Sequence, residues 1–94
     1  MTILVVHHRV RDFDAWKPHF DAHQDVRASH GATAHWVYQA PGDANDVVVA
    51  LQMPSAEAAQ AFMGDPSLPE VMREAGVEGP PTVHVWQEVE ARTY

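Results

Sequence analysis

The chain has 94 residues, with 13 acidic against 6 basic side chains and a formal charge of −7, which bounds it to one acidic domain. That charge repels phosphate backbones and no Lys or Arg run tracks a groove, so nucleic acid is not an expected partner. Cys is absent and no apolar stretch reaches the length of a membrane span, which excludes disulfides, thiolate catalysis, Fe–S ligation and a membrane-crossing helix.

Thr2–Val10 (TILVVHHRV) reads as the first strand, and Arg11 and Asp12 begin the turn after it. From Phe13 to His30 the positions Phe13, Trp16, Phe20, His23, Val26 and His30 fall at steps of three or four, the helical period. Pro18 would cost about 3 kcal/mol deep in a helix but little in its first turn. The expected helix therefore starts near Lys17, after a short turn over Phe13–Trp16, and stops at Gly31. Thr33–Ala40 (TAHWVYQA) and Asp46–Met53 (DVVVALQM) are strands joined through Pro41, Gly42, Asp43, Ala44 and Asn45 as a hairpin. Pro54 closes the third strand, and Ser55 is placed to cap a helix to about Met63. Gly64, Asp65 and Pro66 break it. Ser67 and Glu70 then carry the S-x-x-E spacing of a capping box, opening a helix that buries Leu68, Val71, Met72 and Ala75 and ends at a left-handed Gly76. Gly79, Pro80 and Pro81 lead, extended, into Thr82–Val89 (TVHVWQEV), the last strand.

The order βαββααβ with right-handed crossovers is an α+β, ferredoxin-like sandwich: a four-stranded antiparallel sheet in order 4-1-3-2, with helices on one face. All four strands carry Val, Ile, Leu or Trp at both odd and even positions, whereas a strand wet on one face should alternate. The face that the helices leave bare needs a cover, and a second copy of the same sheet supplies one. The expected partner is thus the chain itself, as a homodimer. With no basic segment followed by an apolar core at the N-terminus, a signal peptide is not expected and the cytoplasm is the expected location.

Several stretches resemble small proteins of the dimeric α+β barrel superfamily, nearest to those of the antibiotic-biosynthesis-monooxygenase and cyclase-like type. They are Val10-Arg-Asp-Phe-Asp-Ala-Trp-Lys-Pro-His-Phe-Asp-Ala-His23, Gly42-Asp-Ala-Asn-Asp-Val-Val-Val49, Asp65-Pro-Ser-Leu-Pro-Glu-Val-Met72 and Ala75-Gly-Val-Glu-Gly-Pro-Pro81. The resemblance covers essentially the whole chain and rests on caps, turns and core positions. It implies a homodimer whose two sheets face each other as a barrel, with a small pocket in each subunit between sheet and helices. Relatives of that kind include cofactor-free quinol-forming monooxygenases, polyketide cyclases and haem-degrading monooxygenases. The Asn, Trp and His arrangement of the haem-degrading members does not map onto this chain, so haem is not carried over and no cofactor is expected.

His23 lies at helical spacing from Trp16 and Phe20 and should face the sheet. His8 shares a strand face with Leu4, Val6 and Val10, a face that the resemblance implies lines the pocket. A desolvated imidazole titrates at or below ~6.5 and suits a general base, so His23 or His8 is the candidate catalytic residue. Trp16, Phe20, Trp36, Tyr38 and Trp86 are the candidate walls for an aromatic ligand, and Arg27, one turn beyond His23, is a candidate for holding a carboxylate or enolate. His7, His8, His35 and His84 fall on neighbouring strands without HxH or HxxxH spacing in a strand, and the i, i+4 pair His19 and His23 reads as a helical surface pair, so no metal site is expected. Three functional classes follow: an enzyme doing cofactor-independent acid–base chemistry on an aromatic or polyketide-like molecule; a non-catalytic, small-molecule-binding or stress-associated dimer; and a structural or regulatory interaction module, which would have no pocket.

Overall fold

A computed structural model describes residues 1–94, and its elements run β1 (Thr2–Val10), α1 (Phe13–Ala22), α2 (Gln24–Ser29), β2 (Ala34–Ala40), β3 (Asp43–Met53), α3 (Ala56–Met63), α4 (Leu68–Ala75) and β4 (Val77–Gln87). The strands form one antiparallel sheet in the order β2-β3-β1-β4, with all four helices on one face. This is the α+β, ferredoxin-like arrangement expected from the order of the elements.

The two sheet faces differ in what covers them. On β1, Thr2, Leu4, Val6, His8 and Val10 are buried, while Ile3, Val5, His7 and Arg9 point away from the helices. Registers carry that alternation across the sheet: Leu4 pairs with Leu51 and Val6 with Val49, so Val47, Val49, Leu51 and Met53 join the same buried layer. Trp16 and Phe20 of α1, Ala59 and Phe62 of α3, and Leu68 and Ala75 of α4 close over it. Leu4, Val10, Val47 and Leu51 are the largest of the fully buried side chains, and each contributes roughly 1.5–3 kcal/mol on removal from water.

Three local features depart from the sequence expectations. The first helix begins at Phe13, not near Lys17, and contains Pro18 in its interior. It then breaks at His23, whose φ of −91° and ψ of 7° end α1 and start α2. One helix over Lys17–His30 is therefore two, and the proline's missing N–H is absorbed within a ten-residue segment. Secondly, Ser67 accepts no cap hydrogen bond and sits in the right-handed helical region (φ −75°, ψ −22°), so the capping box with Glu70 does not form. Its hydroxyl donates instead to Asp65 Oδ1 at 2.6 Å. Thirdly, β4 starts at Val77 rather than Thr82 and runs through Gly79, Pro80 and Pro81. Those prolines are tolerated because β4 is an edge strand, and its pairing with β1 shifts register between His7 and Arg9.

Two glycines are required where they stand. Gly31 has φ +95°, and a Cβ there would lie 2.7 Å from Pro54 Cγ, so the α2 stop is also a close approach to the end of β3. Gly76, at φ +84°, turns α4 directly into β4. No helix is long and apolar enough to cross a membrane.

Candidate functional site

Between the sheet and the helices lies a cavity offering about 60 Å³ to the centres of water-sized molecules. Its walls are largely apolar, among them Val6, Val49, Leu51, Phe62, Val71 and Ala75, and three polar side chains reach it: His8, His23 and Arg27. Each is placed by local structure. His8 is on the inward face of β1, His23 sits at the break between α1 and α2, and Arg27 follows one helical turn later.

His8 and Arg27 are unusual in carrying buried polar atoms with no protein partner. His8 is 7% exposed, and neither of its ring nitrogens has a hydrogen-bond partner. Its ring lies 5.6 Å from that of Trp16. Burial lowers its pKa below the ordinary imidazole value, and the neighbouring His7 adds to the effect. Arg27 is 3% exposed. Its Nη1 donates to the Phe20 carbonyl at 2.7 Å, and its guanidinium carbon lies 3.8 Å over the centre of the Phe20 ring. Its Nη2 has no partner, and no carboxylate comes within ion-pairing distance of the group. Burial lowers the Arg27 pKa, with the charge of Asp21 opposing, yet a guanidinium stays protonated in proteins. Each buried, unpaired polar atom costs about 1–3 kcal/mol, so three of them on two side chains that line one apolar hollow need an explanation, and a ligand is one that would supply partners.

His23 is differently held. Its Nε2 lies 3.1 Å from Ser67 Oγ. Ser67 Oγ in turn donates to Asp65 Oδ1 at 2.6 Å, the same oxygen that accepts the Ser67 N–H at 2.9 Å. The other oxygen, Asp65 Oδ2, is 2.8 Å from His30 Nε2. These bonds, with that to His30 foremost, hold the Asp65 carboxyl well below the usual carboxylate range. The His23 pKa is lowered, first by burial and then by the Arg27 charge, while Asp65 pulls it back up. The Phe62 ring lies beside both imidazoles, 6.2 Å from His23 and 5.7 Å from His30.

The structure gathers His8, His23, Arg27, Trp16 and Phe20 around this cavity and leaves out the other three aromatic candidates. Trp36, Tyr38 and Trp86 are 41%, 55% and 58% exposed on the opposite face of the sheet. Register is the reason: Trp36 pairs with Ala50, Tyr38 with Val48 and Trp86 with Ile3, all outward positions. They cannot wall the same pocket as the histidines. In their place stand Phe62, Met63, Leu68 and Met72 from α3 and α4, whose helical spacing marks a buried face but not a cavity. Met63, Leu68, Met72 and Val77 also border an adjoining hollow of about 400 Å³ along α4 and β4, so they partition the cavity from the surface. Nowhere do three or more His, Cys, Asp or Glu side chains gather as a metal ion would require.

No sequence-family model and no curated protein sequence matches the chain. Solved structures do. SnoaB, a cofactor-independent oxygenase from Streptomyces nogalater, superposes with a TM-score of 0.77 at 11% identity, over 96% of this chain and 94% of that one. A monooxygenase from the gene ActVA-Orf6 of Streptomyces coelicolor, solved with the ligand nanaomycin D, gives 0.70 at 19% identity, over 99% and 91%. The NE2512 protein of unknown function from Nitrosomonas europaea gives 0.73 at 13% identity, over 99% and 93%. At these identities the likeness establishes the fold alone: this chain shares its ferredoxin-like architecture with these structures along nearly its whole length.

Proposed function

We propose that the chain is a small-molecule enzyme that binds an acidic aromatic or polyketide-like substrate in the cavity between sheet and helices and removes a proton from it. The observation that carries this reading is the set of orphaned polar atoms, His8 Nδ1 and Nε2 and Arg27 Nη2, on two side chains that line one apolar hollow. An anionic oxygen on the ligand satisfies Arg27, and the neutral imidazoles, held unprotonated by burial, supply the base. His23 is the better base, because its ring is oriented by Ser67, and His8 is left to hydrogen-bond the substrate. Trp16 and Phe20 provide the aromatic wall.

Such a site supports oxygenation by the substrate's own carbanion. Loss of a C–H proton to His23 leaves an electron-rich carbanion, which passes one electron to O2. The radical pair combines as a peroxide anion, which takes the proton back from His23 to become a hydroperoxide, and loss of the second C–H proton with hydroxide, together one water, leaves a carbonyl where the CH2 had been. The balance is one O2 consumed, one oxygen retained and one water released. The structural likeness to a cofactor-independent oxygenase favours this course over a cyclase-type aldol step begun by the same base. Ligand pockets usually offer roughly 300–1,000 Å³, so the cavity must open to receive such a substrate. The flexible Met63 and Met72 side chains, between it and the outer hollow, are the parts best suited to move.

The opposite face of the sheet supports self-association. Ile3, Val5, Val48 and Ala50 form an apolar strip with the exposed Trp36, Tyr38 and Trp86 on the outward side. A second copy packed sheet to sheet, about 10 Å away, would bury it. The test of the reading is oxygen uptake with anthrone and related acidic aromatic ketones, without added cofactor. One O2 per quinone formed, lost in His23→Ala, supports it. Binding without turnover across the panel would instead favour the non-catalytic small-molecule-binding dimer.

A further inference from the structure

We infer that Ser67 and Asp65 are positioning residues that fix the tautomer of His23, placing its proton on Nε2 and leaving Nδ1 as the basic nitrogen. The role of this device in catalysis rests on the reading of His23 as the base; the tautomer itself does not.

The argument follows from who can donate. An ionised carboxylate only accepts, so the 2.6 Å contact between Ser67 Oγ and Asp65 Oδ1 commits the serine proton to Asp65. Ser67 Oγ can then only accept from His23, 3.1 Å away, and His23 Nε2 must carry the hydrogen of that bond. Asp65 has no freedom to release the serine. Oδ1 also takes the Ser67 backbone N–H, and Oδ2 takes His30 Nε2 at 2.8 Å. The carboxylate is thus oriented from both sides, by His30 just after α2 and by groups of its own loop. Nδ1 of His23 has no bond within the protein, so it remains the available lone pair. A proton taken there from a ligand creates an imidazolium whose other N–H is already bonded to an oxygen polarised by Asp65, which stabilises the charge as it forms.

The same contacts explain why Ser67 does not cap α4. Its hydroxyl is withdrawn from the helix N-terminus and turned across to the α1–α2 break, joining residues 44 positions apart.

Nitrogen-15 NMR of imidazole-labelled protein tests this without any substrate. In the parent, His23 should show a single neutral tautomer, pyrrole-type at Nε2 and pyridine-type at Nδ1. Ser67→Ala should move both shifts toward the average of two exchanging tautomers, and Ser67→Thr, which keeps the hydroxyl, should restore the parent pattern. Averaged or reversed shifts in the parent overturn the inference, and this measurement requires no variant to fold. A parent pattern retained in Ser67→Ala overturns it equally. If the tautomer is fixed as described but no carbon acid is turned over, the positioning stands and the enzymatic reading fails, so the two are separately refutable.

Discussion

Replacing Arg27 with Met should leave the protein as stable as its parent or more stable, while removing its affinity for anions. Arg27 is 3% exposed, with an unpartnered Nη2 and no carboxylate in contact. Its removal relieves a buried, unsatisfied donor, about 1–3 kcal/mol, together with the desolvation of an unpaired charge, which runs to several kcal/mol. Against this stand the lost contact over the Phe20 ring, about 2 kcal/mol when desolvated, and the lost Nη1 bond to the Phe20 carbonyl, about 1.5–3 kcal/mol. That carbonyl is not orphaned, since it still accepts the His23 N–H at 3.2 Å. Methionine fills similar space and adapts to an irregular apolar gap. The balance favours Arg27→Met by about 1 kcal/mol, an increase of about 4–8 °C in Tm for a domain of this size. Thermal unfolding must be followed at one fixed protein concentration, because self-association would make Tm depend on it. A loss of about 2 kcal/mol or more, typical of truncating a buried structural side chain, would refute the reasoning and make Arg27 part of the scaffold.

Asp65→Asn should lower the pKa of His23, because the Asp65 charge is what draws it upward, and proton-detected titration of the imidazole reads the shift directly. Stability should be flat near neutral pH and fall as the pH drops below ~6.5. There the unfolded chain binds protons that the buried, neutral His8 and His23 refuse, at a limiting slope of ~1.4 kcal/mol per pH unit for each, measurable by urea unfolding across the range. A profile that rises on acidification would contradict their placement. If the outward face is the proposed self-association surface, Trp86→Lys should give single chains in sedimentation where the parent gives a dimer, without loss of folded structure by circular dichroism.

The residues that order the fold announce themselves locally. Helical spacing from Phe13 to His30, the turn at Pro41 and Gly42 (shorter than the expected Pro41–Asn45, since β3 starts at Asp43 rather than Asp46), and Gly76 after Ala75 each depend on neighbours a few positions away, and the four-stranded sheet follows from their sequence. His8, His23 and Arg27 were legible in the same way, since each lies on a periodic face beside known apolar positions. Trp36, Tyr38 and Trp86 were not. Their strands are apolar on both sides, so only the registers Trp36–Ala50 and Trp86–Ile3 decide that they turn away from the helices. The Ser67–Asp65–His30 chain was hidden for a related reason. Its S-x-x-E spacing suggests a cap, and the competing partners, His23 and His30, are 44 and 35 positions distant. Asp two residues before Ser, with Pro between, is the local sign of a side chain bonding its own loop, and it points away from the capping box.

Selectivity for charge is the sharpest probe of the cavity. Titration calorimetry with 2-naphthoate and with its uncharged methyl ester, two ligands of nearly equal apolar surface, should show binding of the anion and at least tenfold weaker binding of the ester. Equal affinity for the two, or a preference for the ester, would mean that the unpaired guanidinium of Arg27 does not face the ligand and would contradict the account of this site.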